Sequence, residues 1–216
     1  MQAVEAVVGT TARGFDFLKR QQRDWKITVL RTNSAMFLQR LVVPYLSIYT
    51  VALGATATQL GIINSIGLVV AGVVSPFSGT LIDRIGAKRV YLVGISLLVM
   101  SYLTYGVAQN WTIIIVAMVA YWIGSSVSIQ NCSVICANAL STEERATGMA
   151  VCETVGMGAL GMIAPMLAAL LITTFGGINV SGIRPLFFIC LVGTIAGFFL
   201  ILTQLSNRSW GRSGKN

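Results

Sequence analysis

The sequence predicts an all-α, polytopic membrane helix bundle: six transmembrane helices arranged as two inverted three-helix repeats. Three observations predict it. Of 216 residues, 55% are hydrophobic and only 10% charged, whereas a soluble domain carries about 25% charged residues; the mean hydropathy is +0.79. Residues 41–82 and 90–142 contain no Asp, Glu, Lys or Arg, and a spanning helix needs about 20 mostly apolar residues. Between those two runs lies one dense charged cluster, Gly79 to Arg89, with Asp83, Arg84, Lys88 and Arg89, which must sit in water.

Residues 1–26 have no apolar core long enough for a cleavable signal and read as a cytosolic arm. The first span runs from Ile27 to Leu53, after Asp24-Trp25-Lys26, where an aromatic ring and a cation anchor it at the interface. Arg31 is expected to snorkel to the cytoplasmic edge. Arg40 lies about nine residues deeper, roughly 13 Å at the helical rise, so it is expected to face the bundle interior. Asn33, Arg40 and Ser47 recur every seven residues near one face. A turn over Gly54–Thr58 separates the first span from the second. The charged cluster then forms a short polar loop before the third, and Gln109-Asn110 parts the third from the fourth.

The fourth span, Trp111 to Leu140, is polar in its inner half, with Ser125, Ser126, Ser128, Gln130, Asn131, Ser133 and Asn138. Lipid rejects such groups, so this helix lines either a tight helix seam or a water-filled cavity. Glu143, Glu144 and Arg145 follow it. Residues 146–183 hold one long fifth helix interrupted only by Glu153, and 185–207 hold the sixth. Residues 27–205 thus form the bundle, and 206–216 a cytosolic tail. The basic residues before span one and after spans two, four and six then all fall on one side, while the opposite loops carry only Arg184. The positive-inside rule makes that side the cytoplasm of a cell membrane, which disposes of nucleic acid as the reason for a net charge of +8.

The repeat is visible in glycine and proline. Gly67, Gly72 and Pro76 in the second span have the spacing of Gly156, Gly161 and Pro165 in the fifth, and the echo continues as Leu81-Ile82 then Gly86 after the first and Leu171-Ile172 then Gly176 after the second. Inverted repeats of this kind are common in transporters, although both residues also recur by chance in apolar helices. Gly156, Gly158, Gly161, Ala164 and Ala168 further allow close backbone approach. Cys132, Cys136, Cys152 and Cys190 all fall inside predicted helices, and the chain has no His. No metal site, no cofactor and no enzyme are therefore expected. An intramembrane protease needs His beside its Ser, and a channel needs rings of charge or paired filters; neither pattern is present.

Gly79-x-x-x-Asp83-Arg84-x-Gly86-x-Lys88-Arg89 at the foot of an apolar helix resembles the loop joining helices 2 and 3 in the major facilitator superfamily of secondary transporters. Ala87 stands where a basic residue is common. Gly161-Met-Ile-Ala164-Pro165 resembles the family's helix 5 motif with Ala for its second Gly, which tells against antiport. Ala120 replaces a basic residue many members carry, which tells against proton coupling there. Ser141 to Gly148 resembles the acidic-then-Arg connection into helix 5. The resemblance covers residues 27–205 and only the N-terminal six of the family's twelve helices.

The resemblance implies a small-molecule substrate site moved between membrane faces by two rocking bundles, with Asp83 as a lock across the cytoplasmic seam; the plainer alternative is that the cluster only sets topology. Asn33, Arg40, Gln130, Asn131 and Glu153 are the cavity and coupling candidates. An unpaired charge in the membrane costs at least about 2.5 kcal/mol, so Arg40 and Glu153, at comparable depth, are expected to couple directly or through water, unless each faces its own aqueous vestibule. Arg84 and Arg89 are expected to meet Glu143 or Glu144. The polar face needs cover beyond the lipid bilayer, from a second six-helix half or from a homodimer, and a truncated or split gene product is favoured over a self-sufficient half transporter. The rival reading is a non-transporting remnant or a subunit that binds another membrane protein.

The charge pattern predicts that both termini lie in the cytoplasm. Fused after Asn216, a fluorescent protein that folds only in the cytosol should glow and alkaline phosphatase should stay inactive; an active phosphatase fusion would reverse the topology.

Overall fold

A computed structural model describes residues 20–206, without the side chains of residues 136–137, 152–157 and 159. Most of the N-terminal arm, the tail from residue 207, and the expectations that rest on Cys136, Cys152, Glu153 and Gly156 therefore lie outside the described residues, the Arg40–Glu153 coupling among them.

The described chain is helical throughout: α1 Arg23–Ala52, α2 Ala57–Ile85, α3 Ala87–Val107, α4 Trp111–Ala139, α5 Arg145–Met157, α6 Ala159–Thr174 and α7 Val180–Gln204. Helices α1, α2, α3, α4 and α7 are long and apolar enough to cross a membrane. The turns fall where short polar residues can cap. Thr56 Oγ1 accepts from the Gln59 N–H at 3.3 Å while Gln59 Oε1 accepts from the Thr56 N–H at 2.8 Å, which satisfies two donors left over at the start of α2. Asn110 Oδ1 accepts from the Ile113 N–H at 3.2 Å at the start of α4.

Three expectations need correction. The charged cluster is not a loop: α2 continues through Asp83 and Arg84 to Ile85, and Gly86, at φ +90°, alone separates it from α3. Glycine reaches that region without steric cost, so one residue suffices to turn the chain. The fifth span is not one helix, because α5 and α6 part at Gly158, whose ψ is −106°. Gly156, Gly158 and Gly161 crowd into six residues, each costing a helix about 1 kcal/mol relative to Ala. Trp25 is no interfacial anchor; it is fully buried, packed with Ile82, Tyr91, Leu140 and Ile201.

Helix α4 is the hub, packed on α3, α2 and α1, while α7 lies against α1 and α3. Two buried clusters fill the bundle. One gathers Tyr49, Tyr102, Tyr105, Tyr121 and Phe187, with the Tyr105 and Phe187 rings stacked at 5.1 Å; the other surrounds Trp25, Tyr91 and Ile135 near the charged cluster. The α3–α4 seam is the closest. A Cβ on Gly124 would lie 2.7 Å from the Gly94 carbonyl oxygen, and one on Gly94 would lie 3.2 Å from that of Gly124. Outward, Leu68, Val69, Val73 and Phe77 on α2 and Met162, Met166 and Leu170 on α6 are exposed, as suits surfaces whose solvent is hydrocarbon.

Gly124→Ala forces backbone against backbone, an overpacking that costs about 1–3 kcal/mol, whereas a Cβ on Gly72 meets nothing within 4 Å. Thermal unfolding in detergent should therefore show a clear drop in Tm for Gly124→Ala and none for Gly72→Ala. Equal effects would mean the α3–α4 seam is looser than described.

Candidate functional site

The site is built on α1. Arg31 and Thr32 lie side by side about 12 Å along the helix from its start, and both are buried, Arg31 at 6% exposure. Arg31 does not snorkel. Its Nη1 donates to Tyr91 Oη at 3.1 Å, and its guanidinium carbon stands 4.8 Å from the Tyr91 ring centroid, a cation over an aromatic face. The arginine stem passes Gly197 of α7, where even a Cβ would meet Arg31 Cγ at an ordinary contact distance of 3.6 Å. Arg40, the deeper cation, is exposed. The helix face on which each arginine falls decides its environment, and that outweighs depth.

Arg31 and Thr32 open onto a cavity of about 260 Å³ between α1, α3, α4 and α7. Gln39, Tyr102, Tyr121, Ser125, Ser128, Cys132 and Thr194 also line it, and it lies between the two buried clusters. Leu30, Ser34 and Ile129 belong to its lining and are exposed, so it reaches the bundle surface. Several polar groups in the wall are already engaged: Thr32 Oγ1 donates to Cys132 Sγ at 3.2 Å and Thr194 Oγ1 to the Cys190 carbonyl at 2.7 Å. Ser128 is 4% exposed, and its Oγ has no hydrogen-bond partner among the described residues.

The other predicted residues scatter. Gln130 lies in the α2–α4 seam, where Nε2 donates to the Ser75 carbonyl at 2.8 Å and Oε1 accepts from Ser78 Oγ. Asn131 is fully buried outside the cavity lining, with Nδ2 on the Val127 carbonyl at 2.8 Å. Asn33 Nδ2 bonds the Val29 carbonyl at 2.9 Å. In the charged cluster Asp83, Arg84 and Arg89 are exposed, and Asp83 makes no hydrogen bond or ion pair among the described residues. Glu143 and Arg145 are exposed. Glu144 Oε2 accepts from Gln21 Nε2 at 3.0 Å; no ion pair joins it to Arg84 or Arg89 among the described residues. Gly79 is open, and Gly67 is buried against Trp122. Pro76 lies inside α2. Pro165 lies inside α6, where its carbonyl accepts from Tyr45 Oη at 3.0 Å.

Sequence reasoning missed a set of ties at the charged end. Lys88 Nζ donates to the Leu205 carbonyl at 2.7 Å, a cation on the C-terminal end of α7. Asp24 accepts from the Ser206 N–H at 3.3 Å and from its hydroxyl, and Arg23 donates to Gln204. The start of α1, the start of α3 and the end of α7 are thereby held together. Signals existed only for the local chemistry, since partners more than a hundred residues away leave no spacing to read.

The family model described as Major Facilitator Superfamily matches residues 30–215. The chain is 30% identical over 194 residues to the multidrug resistance protein MdtG of Escherichia coli O1:K1 / APEC, covering 83% of this chain and 44% of that protein. It is 32% identical over 79 residues to the quinolone resistance protein NorA of Staphylococcus aureus, covering 37% of this chain and 20% of that one. The chain spans less than half the length of these curated relatives. A crystal structure of the peptide transporter POT (E310Q mutant) in complex with sulfate superposes with a TM-score of 0.63 at 17% identity, over 84% of this chain and 39% of that chain, a likeness of fold alone. A match over residues 30–215, together with the helical bundle, shows that this chain belongs to the Major Facilitator Superfamily.

Proposed function

We propose that the chain forms one six-helix half of a secondary active transporter that moves a small solute by alternating access. The observation that carries this reading is the cavity against Arg31. A surface-reaching cavity, apolar over most of its wall and carrying an ionisable side chain, set between two packed clusters of a membrane bundle, suits a solute pathway. Membership in a transporter family, and relatives named for quinolone and multidrug resistance, put drug-sized organic molecules first among the solutes to test.

The other half of the pathway is supplied by a second bundle, either a further six helices or a second copy of this chain. Relatives of whose length the match covers only 44% and 20% support that reading. Asp83, exposed on the last turn of α2, is placed to take a partner from such a bundle across the cytoplasmic seam and so to hold the outward-open state. The inverted repeat is supported by Gly86 and Gly176, which end α2 and α6 regions at φ +90° and +110°, and by Pro76 and Pro165 inside those helices.

The purified chain in liposomes, assayed with quinolones, sugars and organic anions, should show no saturable uptake as a monomer and should acquire it when crosslinking reports a dimer or a companion bundle is supplied. Saturable uptake by the monomer would overturn the half-transporter reading, and failure of every assembly would leave a non-transporting subunit. In an assembly that transports, Asp83→Asn should cut uptake about tenfold, the worth of one charge-assisted hydrogen bond; unchanged uptake would refute the lock.

A further inference from the structure

We propose that Tyr102 orients the solute in the cavity: its hydroxyl donates a hydrogen bond to a neutral, carbonyl-type oxygen on an otherwise apolar ring. This rests on reading the cavity as the solute site and names the class of solute.

Other buried tyrosines use their hydroxyls inside the bundle. Tyr49 Oη donates to the Tyr105 carbonyl at 2.8 Å, Tyr105 Oη donates to Met118 Sδ at 3.6 Å, and Tyr91 Oη accepts from Arg31. Tyr102 differs. It is 4% exposed and lines the cavity, and its ring stands edge-on to that of Tyr121 with centroids 6.2 Å apart, yet its Oη makes no hydrogen bond among the described residues. Nor is that oxygen sealed within the packing. Ser128 Oγ is sealed, because it lies against Gly94 in the α3–α4 seam. A hydroxyl that stays reachable on so buried a residue is reached through the cavity its ring helps to wall. Left unbonded it costs free energy, which a ligand in the cavity recovers.

The wall decides what that ligand is. Leu30, Leu38, Leu98 and Leu200 make much of it apolar, and its volume of about 260 Å³ lies just under the range of ligand pockets, roughly 300–1,000 Å³. One substituted ring fits, either as a whole molecule or as the end of a larger one that emerges at the bundle surface. Tyr102, Gln39 and Arg31 share the wall; all three can donate, and the guanidinium cannot accept. The complementary atom on the ligand is therefore an acceptor. A carbonyl oxygen supplies it without bringing a further charge to be desolvated. A hydrocarbon ring fills the same space and leaves the Tyr102 hydroxyl unpaired.

Acetophenone and α-methylstyrene separate these two cases, since they share a shape and differ in a carbonyl oxygen replaced by a methylene. Binding of each, radiolabelled, is measured on the whole chain in phosphatidylcholine nanodiscs, with empty nanodiscs as the blank for partition into lipid. Acetophenone should bind saturably above the blank and, referred to each probe's lipid partition, about three- to tenfold tighter than α-methylstyrene, the worth of one neutral hydrogen bond. Tyr102→Phe keeps the ring and removes a hydroxyl that bonds nothing in the fold. It should weaken acetophenone by that same factor and leave α-methylstyrene unchanged; comparing both probes across one substitution cancels what the substitution does to the fold at large. Ala35→Phe, which fills the cavity from α1, should abolish saturable binding of acetophenone.

Acetophenone affinity unchanged by Tyr102→Phe, an equal loss for both probes, saturable binding that survives Ala35→Phe, or no saturable binding of acetophenone at all would overturn the proposal. Should Tyr102→Phe fail to fold, the unsubstituted chain decides, and equal affinity for the two probes overturns it. Binding needs no transport. Failure of the transporter reading would show in liposome uptake, whereas failure here would show in the discrimination between carbonyl and methylene.

Discussion

A polar group in hydrocarbon has no water to turn to, and this bundle depends on meeting that demand from within. Backbone groups meet it by helix formation. Side chains meet it in two ways. Ser and Thr hydroxyls mostly return to their own helix, as Thr28 does to the Asp24 carbonyl at 2.8 Å and Thr194 to that of Cys190. Other polar groups reach across: Ser101 donates to the Ala117 carbonyl at 2.8 Å, Tyr49 to that of Tyr105 at 2.8 Å, and Arg184 to that of Ala108 at 2.6 Å. Each cross-helix bond also fixes a register, because an alternative sliding of the two helices would strand its donor. Asn33 Oδ1, Ser128 Oγ, Asn131 Oδ1 and Arg184 Nε are buried without a hydrogen-bond partner among the described residues, so the demand left unmet is spread over α1, α4 and α7.

Much of the architecture was legible because the membrane simplifies it. Charge-free runs placed turns over Gly54–Thr58 and at Gln109-Asn110, and side-chain caps are found at Thr56 and Asn110. Those caps are local, carried by a hydroxyl or an amide and the N–H three residues on. What failed was non-local. The reading that sent Arg31 to the interface and Arg40 to the interior used depth alone; the outcome for Arg31 turned on Tyr91, sixty positions away, which holds the guanidinium inside the bundle. Trp25 misled in the same way. An aromatic beside a lysine at the start of a span suits an interfacial belt, but its indole is claimed by α2, α3 and α7. For the polar residues of α4 the choice between seam and cavity depended on position: Gln130 went to the α2–α4 seam, Ser128 Oγ lies against Gly94 in the α3–α4 seam, and Ser125 lines the cavity.

The fifth span shows a different limit. Hydropathy counted enough apolar residues for one helix, and length was the only test applied. Three glycines within six residues weaken the helix where it breaks, and Pro165, inside α6, lacks the N–H that would bond back along the helix. Its own carbonyl is bonded by Tyr45 of α1, so α6 is held to the bundle beyond the break by a side chain from another helix.

The distribution of these ties bears on how such a half could move. Lys88, Asp24 and Arg23 join the starts of α3 and α1 to the end of α7, and the Gly94–Gly124 contact brings α3 and α4 to backbone distance. Helix α2 is held differently. It buries only Ile63, Gly67, Ser78 and Ile82, is clasped mainly by Gln130 and by Trp122 over Gly67, and leaves Leu68, Val69, Val73 and Phe77 exposed. A bundle that rocks as a unit must be tied more firmly within itself than to its surroundings. Helix α2 thus leaves a long apolar face uncovered, the face on which the proposed second bundle would slide. It is also the helix that ends in Asp83, so the residue proposed to lock one state sits on the surface best placed to change partners between states.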